Sequence, residues 1–212
     1  MIMNQRWALE DLYTFPHTYS QIYSFIYCFD SELDAHDAER INFSIESYPW
    51  RGGYSYINIY KVLFNQIPYE HRPEIARIQY ASPGFMDILL NPDVALQLAK
   101  SVGILFGIGV AATETYKRIY KNILEIRAEK KKHDTEIITY SATELKSMLE
   151  MSDTLARQIG FENVAKLNQR TKNPEITLKL LMAHYRRLDI LGNFIREGKV
   201  ALPEKIQEKR NS

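Results

Sequence analysis

The 212-residue chain has little of several features that usually indicate a function. Cys28 is its only cysteine, which excludes an intramolecular disulfide and any CxxC pair. The sequence has no secretory signal pattern, no low-complexity segment, and no P-loop, complete GxGxxG or HExxH motif. We therefore expect a cytoplasmic protein without a cofactor, a metal ion or a recognisable set of catalytic residues.

Long apolar segments are also missing. The uninterrupted apolar run over residues 102–112 has eleven residues, whereas a helix that crosses a bilayer needs about 20. Extending the run toward Val94 brings in Gln97, Lys100 and Ser101. A permanent single-pass anchor is therefore disfavoured, and conditional insertion of this helix stays an alternative.

What the chain does have is a division into two compositions. Residues 1–90 hold 18 of the 25 aromatic residues, and six Lys and Arg against eleven Asp and Glu. The remainder holds 21 Lys and Arg against 15 Asp and Glu, so the net charge of +1 hides balances of −5 and +6. Neither half has the charge density that electrostatic binding of nucleic acid requires, so nucleic acid is not an expected partner.

The N-terminal half alternates between two kinds of hydrophobic period. Alternation of apolar and polar residues predicts three strands, at residues 7–15, 41–48 and 74–81. Helical spacing predicts three helices, at residues 18–30, 55–67 and 85–90. This order predicts a small, aromatic-rich, mixed α/β domain over residues 1–91.

The C-terminal half is predicted to be helical. Asn91-Pro92 is a helix-start signal, and the pattern after it predicts one long helix within residues 92–139. A capping box at Ser141 and Glu144 starts another helix, which Gly160 ends. A third helix follows Asn173, within a helical module over residues 140–212. The fold class is therefore α+β and predominantly helical.

Small residues recur at every fourth position of the predicted long helix: Ala95, Ala99, Gly103, Gly107, Ala111 and Thr115. This set is called the small-residue stripe. Glycine inside a helix costs about 0.5–1 kcal/mol relative to alanine, and close approach of another helix is the usual compensation. Either a helix of the same chain lies across the stripe, or a second copy does, which would make the stripe an oligomer interface.

A heptad-like spacing continues beyond the stripe. Its apolar members are Tyr116, Ile119, Ile123 and Ile126. Two heptads are too few to identify a coiled coil, but they favour a homo-oligomer formed through this helix.

Aromatic residues cluster around a glycine turn in the N-terminal half. The cluster consists of Tyr48, Trp50, Tyr54 and Tyr56. It is denser than packing alone requires, and protein interfaces favour tyrosine and tryptophan. We therefore predict a surface that recognises a protein partner here.

Two turns are candidates for binding an anion or another small ligand. Arg51, Gly53 and Ser55 precede one predicted helix, while Ser82 and Gly84 precede another. Free backbone N–H groups at a helix start bind phosphate or carboxylate. Simple turn chemistry accounts for the same glycines.

Three other groups receive non-catalytic interpretations. The sequence SELDAHDAER, which contains Asp34, His36, Asp37 and Glu39, is interpreted as an acidic solvated loop rather than a metal site. The adjacent Arg186 and Arg187 indicate a helical docking surface. Cys28 stands among aromatic residues, so we expect it to be a small buried apolar side chain.

The sequence therefore favours a non-enzymatic protein that self-associates through its central helix and recognises a protein partner. One alternative is a membrane-acting effector whose glycine-rich helix inserts after assembly. Another is an enzyme or small-ligand binder that uses the Gly52-Gly53 and Ser82-Gly84 turns.

Overall fold

The structure is a computed structural model that describes residues 1–29, 32–50, 52–81, 84–131 and 140–201. The described residues are predominantly helical and form eight α-helices and a small antiparallel four-stranded sheet. The predicted α+β, predominantly helical class is confirmed.

The helices, in chain order, are α1 (Leu9–Phe29), α2 (Ala35–Glu46), α3 (Gly52–Gln66), α4 (Pro92–Ile108), α5 (Val110–Lys131), α6 (Ala142–Ile159), α7 (Val164–Thr171) and α8 (Pro174–Arg196). The strands are β1 (Ile2–Met3), β2 (Glu74–Gln79), β3 (Gly84–Leu89) and β4 (Val200–Ala201).

The sheet joins distant parts of the chain. Its strand order is β2-β3-β1-β4, and every neighbouring pair is antiparallel. Ile2 of β1 pairs with Phe85 on one side and with Ala201 on the other. The first and last described strands are therefore neighbours, and β2 forms an edge of the sheet.

The core is built around α8, which packs against α1, α3, α4, α6 and α7. Most of α8 is buried, including Leu178, Leu181 and Leu188, which are each 0% exposed. The second half of α1 is also buried, and Phe25 from that helix contacts Phe161 and His184. Both halves of the chain thus contribute to one continuous core.

The predicted helix ends in the C-terminal half are confirmed. The Asn91 side chain accepts hydrogen bonds from the first turn of α4, and Asn173 does the same for α8. Ser141 and Glu144 form the capping box of α6, and Gly160 ends that helix at φ 65°. These signals were readable because each cap depends on residues within one turn of one another.

Two of the predicted strands are helical. Residues 9–15 belong to α1, which contains Pro16 instead of ending there. Residues 41–46 belong to α2, where Ile41 and Ile45 are buried while Phe43 between them is 71% exposed. The residues of α2 that face the core are therefore four positions apart, as in a helix, and not two positions apart, as in a strand.

The predicted helix at residues 85–90 is instead β3. Met86 and Ile88 lie two residues apart, and both pair with residues of β2. Gly84 is confined by this hairpin, because a Cβ there would lie 2.6 Å from the carbonyl oxygen of Gln79. The strand predicted over residues 74–81 is confirmed as β2.

The single long helix predicted within residues 92–139 is also wrong. Gly109 adopts φ 54° and ends α4, and α5 starts at the next residue with its axis turned by 93°. A backbone with φ in this range is open to glycine and costly for other residues. Gly109 therefore converts the predicted rod into a bent pair of helices.

Candidate functional site

The bend divides the small-residue stripe between two helices. Ala95, Ala99, Gly103 and Gly107 lie on α4, and Ala111 and Thr115 lie on α5. Because the two axes differ by 93°, the six residues do not form one straight line. The two parts of the stripe therefore have different surroundings.

The N-terminal end of the stripe faces an apolar cavity. Ala95 and Ala99 line an apolar cavity of about 240 Å³, together with Val102, Leu191 and other apolar side chains. Both alanines are half-buried. A small side chain at these two positions leaves space inside the protomer.

The middle of the stripe is open. Apart from the helix that carries it, no atom of the described residues lies within 4 Å of the position that a Cβ on Gly103 would occupy. Gly107, one turn further along α4, is exposed. The same-chain interpretation of the stripe requires a helix that lies across Gly103. The described part of the chain has no helix in that position.

Close approach between α4 and the rest of the chain occurs on another side of the helix. A Cβ on Gly160 would lie 2.7 Å from Cδ1 of Ile104, and the Gln97 amide donates to the Gly160 carbonyl at 2.8 Å. Lys100 pairs with Glu162 at 3.0 Å beside this contact. Gly160, which the sequence marked only as a helix end, thus lets α4 approach the end of α6.

The part of the stripe on α5 is divided between solvent and the protomer. Ala111 is exposed, while the hydroxyl of Thr115 accepts a hydrogen bond from Gln158 of α6 at 2.9 Å. The predicted heptad seam on α5 also faces the protomer, since Ile119 and Ile123 are buried. These residues pack within one chain and leave no continuous seam on its surface.

The open glycines have exposed apolar neighbours. Leu96, Gly103 and Gly107 share one face of α4, because they are spaced by seven and four residues. Leu96 is 65% exposed, Phe106 is 38% exposed, and Val110 at the bend is 77% exposed. Leu96, Gly103, Phe106, Gly107 and Val110 are together called the α4 surface, which Lys100, paired with Glu162, borders.

The predicted aromatic partner surface is a packed cluster. Tyr48 and Trp50 meet edge to face at 4.8 Å, and Trp50 contacts Tyr56 at 5.5 Å. The indole N–H of Trp50 donates to the Ile45 carbonyl, and Tyr56 is 8% exposed. The side chain of Tyr54 lies outside the described residues. These contacts leave Tyr48 and Trp50 only partly accessible to a partner.

The predicted anion-binding turns lie only partly within the described residues. Gly53 and Ser55 belong to the first turn of α3. Their contacts and the whole of Arg51 lie outside what the structure describes. Ser82 lies outside them as well, and Gly84 opens β3. Because a strand follows Gly84, the helix start that favoured anion binding at this turn is missing.

A polar cavity of about 420 Å³ lies near the start of α2, and the sequence did not indicate it. At its wall, the Tyr27 hydroxyl donates to Asp37 at 3.2 Å and lies 2.9 Å from Nδ1 of His71. Burial and the adjacent Asp37 carboxylate raise the pKa of Tyr27. Arg40 donates to the same carboxylate at 2.7 Å.

The acidic sequence beside this cavity was predicted to be a loop. In the structure it leads into the first turns of α2. Asp34 caps the helix by accepting a hydrogen bond from the backbone N–H of Asp37. Asp34, His36 and Asp37 place possible ligand atoms within 4.8 Å of one another. However, the Asp34 and Asp37 carboxylates have the capping and guanidinium contacts described here, which account for their positions. Tyr27 and His71 were missed because 44 residues separate them.

Among the described residues, no single helix is both long and apolar enough to cross a membrane, although the bent pair of α4 and α5 meets these criteria jointly. No protein-family model, curated protein or solved structure matches the chain.

Proposed function

We propose that the protein is a non-enzymatic assembly component that forms a homo-oligomer through the α4 surface. The observation that carries this proposal is the open position of Gly103 between exposed apolar residues. Glycine at this helical position has a cost, and the described residues supply no compensating contact. A helix of a second copy would supply that contact.

A two-fold arrangement fits this surface best. In a two-fold dimer the same surface of each copy meets its equivalent, so one exposed face is sufficient. The missing side chains of Gly103 and Gly107 would allow two α4 backbones to approach closely, with Leu96 and Phe106 packing beside them. A stable interface buries about 800 Å² per partner, so we expect it to extend across the bend to Val110.

The mass of the protein in solution tests this proposal. We expect light scattering after size-exclusion chromatography to give at least twice the protomer mass of 24.8 kDa. Gly103→Leu combined with Gly107→Leu should reduce the mass to that of one protomer, because leucine side chains would hold the helices apart. The open space at Gly103 predicts that this variant still folds.

A matched substitution controls for added apolar surface. Ala165 is exposed on α7 and is not part of the α4 surface, so Ala165→Leu should leave the oligomer intact. A wild-type protein that is monomeric at high micromolar concentration contradicts the proposal. So does an unchanged oligomer in the folded double-leucine variant.

A further inference from the structure

A basic cavity of about 190 Å³ lies between α3, α5 and α8, apart from the α4 surface. Its cationic residues are Arg127 from α5 and Lys179 and Arg186 from α8. They come from sequence positions up to 59 residues apart, which is why the sequence did not bring them together.

One carboxylate holds two of these cations. Oε1 of Glu175 lies 3.3 Å from Nε of Arg127, and the same oxygen pairs with the Lys179 ammonium one helical turn away. The side chains of Glu175 and Lys179 are 14% and 15% exposed, so this ion pair is well shielded from water. Glu175 therefore fixes two cations at the cavity and neutralises one of the two charges.

Arg186 adds a third positive charge. Its guanidinium donates to the Tyr116 hydroxyl at 2.8 Å, a contact with a neutral group that orients the side chain without cancelling its charge. Arg127, Lys179 and Arg186 with Glu175 thus carry a combined charge of about +2.

The other described residues that line the cavity are apolar or aromatic. Ile123 and Met182 are buried at 4% and 3% exposure, whereas Leu124 and Tyr120 are 46% and 48% exposed. The Lys179 ammonium lies 5.5 Å from the ring centroid of Tyr56. A bound molecule would therefore meet positive charge and an apolar surface together.

We propose that this cavity binds a phosphomonoester joined to an apolar or aromatic group. A phosphomonoester carries a charge of about −1.5 to −2 at pH 7, which matches the two uncompensated charges better than a single carboxylate does. Arg127 and Arg186 offer N–H groups suited to phosphate oxygens, and Lys179 adds a point charge. The wall formed by Tyr120 and Leu124 would contact the organic group.

Burial and a neighbouring carboxylate act in opposite directions on the pKa of Lys179. Burial lowers the pKa of Lys179, although the Glu175 carboxylate opposes this effect. A second anion in the cavity would favour the charged ammonium further.

Calorimetric titration with phenyl phosphate at pH 7 and low salt tests the site. We expect binding that is at least tenfold tighter than that of inorganic phosphate, and no comparable binding of phenol. Arg186→Gln should weaken phenyl phosphate binding at least tenfold, because this exposed residue can be changed without disturbing the core. Lys179→Met should do the same, with thermal melting to confirm that it folds.

Arg118→Gln is the matched control, since Arg118 is an exposed cation on α5 that does not line the cavity. An equal loss of affinity in Arg118→Gln would show general charge attraction and overturn the proposal. Undetectable binding of phenyl phosphate at millimolar concentration would also overturn it.

A lipid headgroup could supply the same chemistry. Sedimentation with vesicles of phosphatidylcholine containing phosphatidic acid distinguishes this source from a soluble phosphate. Binding of these vesicles that requires Arg186 supports a lipid source for the phosphomonoester. Binding of phenyl phosphate without vesicle binding supports a soluble source.

Discussion

The imidazole of His184 stacks on the ring of Phe25, with their centroids 4.0 Å apart. The two residues come from α8 and α1, and both are almost completely buried. Nδ1 of His184 has no hydrogen-bond partner among the described residues. Burial, followed by the nearby positive charge of Arg187, lowers the pKa of His184 to about 3. This histidine is therefore neutral and acts as an aromatic core residue.

This contact predicts that acid destabilises the fold. Below pH 6.5 the unfolded chain binds a proton on His184 that the folded chain excludes. Exclusion of this proton therefore costs the fold nothing well above pH 6.5, and it lowers the free energy of unfolding as the pH falls toward 3. We expect a contribution of about 1.4 kcal/mol per pH unit to the free energy of unfolding. Urea unfolding at pH 7, 6, 5 and 4, followed by tryptophan fluorescence, measures it.

His184→Leu should reduce this pH dependence, since leucine cannot bind a proton. His17→Gln is the control, because it removes an exposed imidazole instead of a buried one. An identical slope in the wild type and in His184→Leu would contradict the prediction.

Cys28 provides a second prediction, based on its accessibility. The thiol is 0% exposed and donates a weak hydrogen bond to the Leu63 carbonyl at 3.6 Å. Burial raises the pKa of Cys28, so the reactive thiolate is scarce. We expect a thiol reagent to label the native protein at least a hundredfold more slowly than the urea-unfolded protein. Rapid labelling of the native state would show that α1 opens readily.

The features that the sequence predicted correctly depend on neighbouring residues. Ser141 and Glu144 are three residues apart, and Asn173 directly precedes the helix that it caps. Their hydrogen bonds form within one helical turn, so the local sequence contains the whole signal. The burial of Cys28 also followed from its aromatic neighbours.

The incorrect predictions depend on distant contacts. Phe15 was placed in a strand, but it lies in α1 and packs on Phe194 from the C-terminal helix, with the centroids 5.2 Å apart. The surroundings of Ala95 and Ala99 likewise depend on α8 and on the sheet. Tertiary packing overrides local propensity at such positions, and one sequence does not show which segments meet.

Arg170 leads to a third prediction, because it joins α7 to α1. Its guanidinium donates to the Cys28 carbonyl and lies 5.9 Å from the Phe29 ring centroid. The residue is 8% exposed. Arg170→Met should decrease the free energy of unfolding by about 1–3 kcal/mol, because the buried carbonyl loses its donor. Urea unfolding measures the change.

Exposed Arg157 on α6 offers the control for that experiment. Arg157→Met should change the free energy of unfolding by less than about 0.5 kcal/mol. Equal effects of the two substitutions would contradict a specific role for the contact between Arg170 and Cys28.

Gly103 and Gly109 support a final prediction, because they are six residues apart but occupy different backbone conformations. Gly103 is helical with open space beside it, so Gly103→Ala should stabilise the protomer by about 0.5–1 kcal/mol. Gly109 has φ 54°, so Gly109→Ala should destabilise it by about 1–2 kcal/mol. Urea unfolding at submicromolar concentration would measure both effects in the monomer. Stabilisation by Gly109→Ala would contradict the bend and favour the continuous helix that the sequence predicted.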